Sequence, residues 1–156
     1  MSIAENKEIV RRFYDEFWCR GNPGAADELV APDLIHDQLP EGWPSGRAGF
    51  KQLVVTWRAA FPDMHEDVLQ MVAADAWVVS GFRLRGTHQG AFYGLQPTGR
   101  RVEIEGADFL RISGGLIAEW IYFEDTLGLF RQLDTMPSDL ARVAGPSRGT
   151  ASSAPL

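Results

Sequence analysis

The chain has 156 residues, of which 45% are hydrophobic and 23% charged, with a net charge of −6. That balance predicts one soluble globular domain and leaves no basic face for general nucleic-acid binding. The single cysteine, Cys19, excludes an internal disulfide framework and a multi-cysteine zinc site. No apolar run approaches the roughly 20 residues of a membrane span. The start, Met1-Ser2-Ile3-Ala4-Glu5-Asn6-Lys7, lacks the basic and apolar stretches of a signal peptide, so a cytoplasmic location is expected.

Ser2-Ile3-Ala4-Glu5 has the form of a capping box. Beyond it Val10, Phe13, Tyr14, Phe17 and Trp18 recur at helical spacing, predicting an amphipathic helix that stops at Gly21. Asn22-Pro23-Gly24 opens a short helix through Leu29, and Leu34-Ile35-His36-Asp37 reads as a short strand. A third helix is predicted from about Gly46 to Ala60, with Phe50, Leu53, Val54 and Trp57 on one face, ended by Pro62. From His65 the period shifts towards two. Strands are predicted over Val68–Val72, Trp77–Thr87, Val102–Ile112 and Leu116–Phe123, joined as an antiparallel meander. Asp125 caps a closing helix. Residues 135–156 hold no aromatic residue and much Pro, Ser, Ala and Gly, the composition of a disordered tail, which leaves a domain over 1–134. Helices first and strands afterwards make an α+β fold, helices covering one face of a curved sheet.

Strand alternation sorts the faces. Arg83 and Arg85 cannot face a core, so Val78, Ser80, Phe82, Leu84, Gly86 and His88 point inward. Glu103, Glu105 and Arg111 likewise put Val102, Ile104, Gly106, Asp108, Leu110 and Ile112 inside. Asp108 is thereby set among apolar neighbours, where a carboxylate needs a partner or stays neutral. The last strand is ambiguous. If Trp120 and Tyr122 face the helices, Ile117, Ile121 and Phe123 form an outer apolar patch that a homodimer would cover.

Several segments carry a family resemblance: Asn6-Lys7-Glu8-Ile9-Val10-Arg11-Arg12-Phe13-Tyr14, Ala31-Pro32-Asp33, Gly86-Thr87-His88-Gln89-Gly90, Pro97-Thr98-Gly99-Arg100-Arg101, Phe109-Leu110-Arg111-Ile112, and Asp125-Thr126-Leu127-Gly128-Leu129-Phe130-Arg131-Gln132-Leu133. In this order and spacing the chain resembles the SnoaL-like polyketide cyclases, also called ester cyclases, a branch of the nuclear transport factor 2-like cone fold. The resemblance implies a helix-covered cone with a deep pocket, a homodimer, and intramolecular aldol ring closure without metal or cofactor. It also implies an acid/base aspartate on the last strand. Here Tyr122 stands at that position, Asp108 where the family has a pocket histidine, and His36 where it has a pocket asparagine. The family's mechanism therefore does not transfer residue by residue.

The candidate catalytic residues are Asp108, His36 and Tyr122. Asp108 is read as the general base, its pKa raised by an apolar pocket; the alternative is a structural carboxylate bonded to Tyr122 or backbone amides. His36 would orient Asp108 or relay its proton, or else be a surface histidine paired with Asp37. Tyr122 would stabilise a developing enolate, or be an amphipathic core residue. Trp43, Trp57, Phe82, His88 and Trp120 are the substrate-binding candidates, with His88 better suited to holding the glycine-rich loop beside it. Much of the aromatic content is expected to shape a pocket rather than a solid core. The three histidines lack metal-ligand spacing. The expected partner is an apolar, polycyclic or ketide-derived carbonyl compound. The competing functions are epoxide hydrolysis or cofactor-free hydroxylation on the same fold, and non-catalytic binding of an aromatic metabolite.

Overall fold

The computed structural model describes residues 2–36 and 38–135; the expectation of disorder after residue 135, and Asp37, lie outside them. Ser2 Oγ accepts the Glu5 amide at 3.2 Å while the Glu5 carboxylate accepts the Ser2 amide at 2.7 Å. The capping box therefore forms and opens α1 (Ile3–Arg12). Where one continuous α-helix is predicted, the chain widens into a π-helix over Phe13–Cys19. Its bonds span five residues, as Arg20 N–H to Asp15 O illustrates. The wider turn brings Phe13, Tyr14, Phe17 and Trp18 inward together.

After the short α2 (Ala25–Leu29), strand β1 covers Val30–Ile35. It begins and ends earlier than the predicted strand and leaves His36 just beyond its end. Helix α3 (Gly46–Ala60) has the predicted bounds and buries Phe50, Leu53, Val54 and Trp57. Strands β2 (His65–Ala74), β3 (Trp77–Thr87), β4 (Arg101–Ser113) and β5 (Leu116–Glu124) follow, then α4 (Thr126–Gln132), capped by Asp125 Oδ1 accepting the Gly128 amide at 2.8 Å. The sheet runs β1-β5-β4-β3-β2, antiparallel except for β1 beside β5. No helix among the described residues is long and apolar enough to cross a membrane.

Two bulges separate this sheet from the predicted one. In β2 the register shifts between Val68 and Gln70, which breaks the alternation and hides a strand twice as long as its readable centre. In β5 the register shifts opposite Arg111 and Ile112, so Ile112 pairs with Ile117 while Arg111 pairs with Glu119. The extra residue, Ala118, resets the alternation, and Ile117 turns into the core at 1% exposure instead of joining an outer patch. The outer face still carries an apolar row across four strands, Val72–Val79–Phe109–Ile121, with Phe123 exposed beside it.

The aromatic residues divide between two uses. Phe13, Phe17 and Phe50 are almost fully buried and stack, Phe17 on Phe50 at 4.4 Å, with Trp120 edge-on to Phe50 at 4.8 Å. These rings form a solid core, where a mostly pocket-lining role is expected from the sequence.

Candidate active site

Asp108 faces inward from the middle of β4, between Ser80 of β3 and Tyr122 of β5 in the cross-strand register. It is 2% exposed. Trp120 Nε1–H donates to its Oδ1 at 2.8 Å, and the Tyr14 hydroxyl, reaching down from the π-helix, donates to its Oδ2. Tyr14 has one hydroxyl proton, so Ser80, whose Oγ lies 2.9 Å from the Tyr14 oxygen, is the donor of that second bond. Asp108 is therefore partnered by Tyr14 and Trp120, not by Tyr122 or backbone amides. Burial pushes its pKa up to about 6, and the two donated bonds keep it from rising further.

Two further carboxyls share this space. Glu66 of β2 is buried, and its carboxyl makes no hydrogen bond among the described residues. The Cys19 sulfur bridges its backbone, lying 3.3 Å from the Glu66 carbonyl oxygen and 3.4 Å from its amide nitrogen, which pins this part of β2 beneath the π-helix. Burial, with the charges of Asp108 and Glu124, holds the Glu66 carboxyl well above the usual range. Glu124, at the end of β5, is pushed up to about 7 by burial and then by Asp108; a long 3.5 Å bond from the Thr126 hydroxyl opposes this.

The cavity has two parts. An inner chamber with about 20 Å³ of free space, the size of one water or one methylene group, is lined by Asp108, Glu66, Glu124, Trp57, Phe82 and Trp120, among others. An outer vestibule of about 250 Å³ is lined by Gln38, Phe92, Tyr93, Leu129 and Phe130. Trp57, Tyr122 and Glu124 belong to both. A larger groove of about 540 Å³ around Asp63, Arg85, Arg101 and Gln132 shares no lining residue with them.

Of the predicted residues, Asp108, Tyr122, Trp57, Phe82 and Trp120 meet at the inner chamber. Tyr122 stacks on Trp120 at 5.0 Å, and its hydroxyl, pushed up to about 12 by burial, has no hydrogen-bond partner among the described residues. His36 makes no hydrogen bond to Asp108. Its ring stacks on Trp120 at 4.4 Å, and its Nδ1 lies 2.9 Å from the Trp120 carbonyl oxygen, so it adjoins the indole that bonds Asp108. Trp43 leans on Tyr93 at 6.5 Å, outside the chamber. His88 is enclosed, stacked on Phe61 with its Nδ1 accepting the Thr98 amide at 3.2 Å, and holds the base of the 89–99 loop. Among the described residues no group of three or more His, Cys, Asp or Glu could hold a metal ion.

Sequence reasoning missed Tyr14, Glu66 and Glu124. Tyr14 sat unremarked in an apolar helical stripe. Glu124 shares the parity of Trp120 and Tyr122, which was signal enough. Glu66 precedes the readable part of its strand. Because Glu66 ionises near 4.5 when unfolded but well above that when folded, its contribution to wild-type stability falls as pH rises above 4.5. Glu66→Gln should therefore gain stability relative to wild type at pH 8 over pH 4 in urea unfolding; a pH-independent difference would contradict this.

The description "SnoaL-like polyketide cyclase" matches residues 8–133. The chain is 32% identical over 122 residues to nogalonic acid methyl ester cyclase of Streptomyces nogalater, covering 76% of this chain and 91% of the relative. It is 35% identical over 132 residues to aklanonic acid methyl ester cyclase DnrD of Streptomyces peucetius, covering 81% and 88%. Its fold matches that of TsrD from Streptomyces laurentii with a TM-score of 0.80 at 23% identity, over 87% of this chain and 99% of that one. With a match that spans nearly all the described residues, the chain belongs to the SnoaL-like polyketide cyclase family, and so among enzymes of the cyclase type rather than binding modules.

Proposed function

We propose that this protein is a cofactor-independent cyclase that closes a carbon ring in an apolar, ketide-derived methyl ester of the kind named for its relatives. The observation that carries this reading is Asp108, a doubly hydrogen-bonded carboxyl poised near neutrality in a chamber that admits one methylene-sized group. The ring system would rest in the vestibule while its acidic carbon enters the chamber between Trp57, Phe82 and Trp120. Asp108 takes the proton from that carbon. The freed electron pair bonds to a carbonyl carbon of the same molecule, and the carbonyl oxygen becomes an alkoxide. Tyr122 donates a hydrogen bond to the enolate oxygen as charge develops there. His36 is a positioning residue, bracing the indole that holds Asp108 Oδ1.

The domain over 1–134 carries the whole site, and a second copy covers the outer row Val72–Val79–Phe109–Ile121. The test is incubation with nogalonic and aklanonic acid methyl esters, in water and in D2O. A cyclised isomer of unchanged mass supports the reading; neither product nor deuterium entering the acidic carbon overturns it. A water-sized chamber beside three carboxyls also favours a second reading, water addition to an epoxide. There the product gains the mass of one water, with label from isotopic solvent.

A further inference from the structure

Ring closure needs two proton transfers at different places: one away from carbon, one onto the new alkoxide. Asp108 supplies only the first, because it lines the inner chamber but not the vestibule and both its oxygens are held by Tyr14 and Trp120. The second belongs where the electrophilic carbonyl would lie, at the boundary with the vestibule. Of the three described residues that line both spaces, Trp57, Tyr122 and Glu124, two carry a side chain acidic enough to release a proton, Tyr122 and Glu124. From this geometry we infer that Glu124 is the general acid of the reaction, protonating the alkoxide as the carbon–carbon bond forms; the assignment rests on the acid/base reading above.

The geometry around Glu124 supports it. Glu124 pairs with Gly106 in the β4–β5 register, two residues from the Asp108–Tyr122 pair and on the same face. Gly106 has no side chain to hide it, and Phe82 fills the space above that glycine, 2.4 Å from where a Cβ would stand. The Glu124 carboxyl has a single long bond to Thr126, so it is free to turn towards a ligand. Glu66, more than nine-tenths buried and without a hydrogen-bond partner among the described residues, lines the same chamber.

Burial pushes Glu124 up to about 7 and Asp108 up to about 6, so near neutral pH each carboxyl can take up or release a proton. The cycle balances without an external reagent. The C–H proton goes to Asp108, the Glu124 proton goes to the alkoxide, and the Asp108 proton then returns to the Glu124 carboxylate across the water-sized chamber. Tyr122, at about 12, stays protonated throughout as a hydrogen-bond donor.

The experiment compares Glu124→Gln with Asp108→Asn and wild type on the two methyl esters, in D2O. Glu124→Gln should lose roughly 100-fold or more of product formation yet still carry deuterium into the acidic carbon. Asp108→Asn should lose both. Glu124→Asp, keeping the acid, should recover part of the lost product formation, which also controls for a folding defect in the Gln variant. Product formation unchanged in Glu124→Gln, exchange and product lost there in equal measure, or no recovery in Glu124→Asp overturns the assignment while leaving the cyclase reading intact. No exchange and no product with wild type overturns both.

Discussion

Asp108→Asn is expected to slow ring closure by roughly 10²–10⁴-fold, the range for losing a general base, with the fold intact. Asparagine keeps the shape of the side chain, and its carbonyl oxygen still accepts the Trp120 indole N–H. The amide nitrogen then meets the Tyr14 hydroxyl as a donor. Because Tyr14 and Ser80 can exchange donor and acceptor roles, the network re-satisfies itself by reversing one bond. The pH dependence of stability should change as well. Asp108 moves from 3.8 to about 6 on folding, so the folded state holds its proton more tightly than the unfolded chain. Its contribution is full below pH 3.8 and declines as pH rises to about 6, a loss of about 3 kcal/mol at most. The Asn variant lacks this decline and should match or exceed wild type at pH 8 in urea unfolding. Wild-type turnover in that variant, with both methyl esters, would remove Asp108 from the chemistry.

Trp120→Ala should cost about 3–5 kcal/mol of stability, the usual range for truncating a buried tryptophan. The indole, 3% exposed, is a shared wall. It is edge-on to Phe50 at 4.8 Å, stacked under His36 at 4.4 Å and Tyr122 at 5.0 Å, and bonded to Asp108. Its removal opens a cavity at the junction of core and chamber and leaves Asp108 with one donor instead of two. Without that bond the Asp108 carboxyl should rise further, moving the acid limb of any pH–rate profile upward. Trp120→Phe separates the effects: it retains most of the ring packing but not the N–H, so it should keep most of the stability and still show the shifted limb. Equal losses of stability in the two variants would show that the hydrogen bond, not the packing, dominates.

Local rules made much of the fold legible. The capping box, the proline and glycine punctuation and the bounds of α3 rest on contacts within a few residues, so the sequence displays them directly. Parity in β3 and β4 was equally plain, because charged residues mark one face and alternation is unbroken across their pairing. Asp108 emerged from that parity alone. Legibility ended where register changed. The bulge at Ala118 reversed Ile117, and the bulge after Val68 shortened β2 to the eye, hiding Glu66. The π-helix was invisible for a related reason: its inward positions, 13, 14, 17 and 18, also fit an α-helical stripe.

Length, composition and charge by themselves give an acidic chain whose single cysteine leaves no internal disulfide. The aromatic content, open to two uses on composition, was divided between core and cavity by the depth to which Phe50 and Phe17 stack behind Trp120. The site itself was decided by tertiary structure. Tyr14 and Asp108 are 94 residues apart, and Glu66 and Asp108 meet across a sheet. The protonation of such groups depends on burial and on distances across the fold, and neither quantity is a property of any segment taken alone.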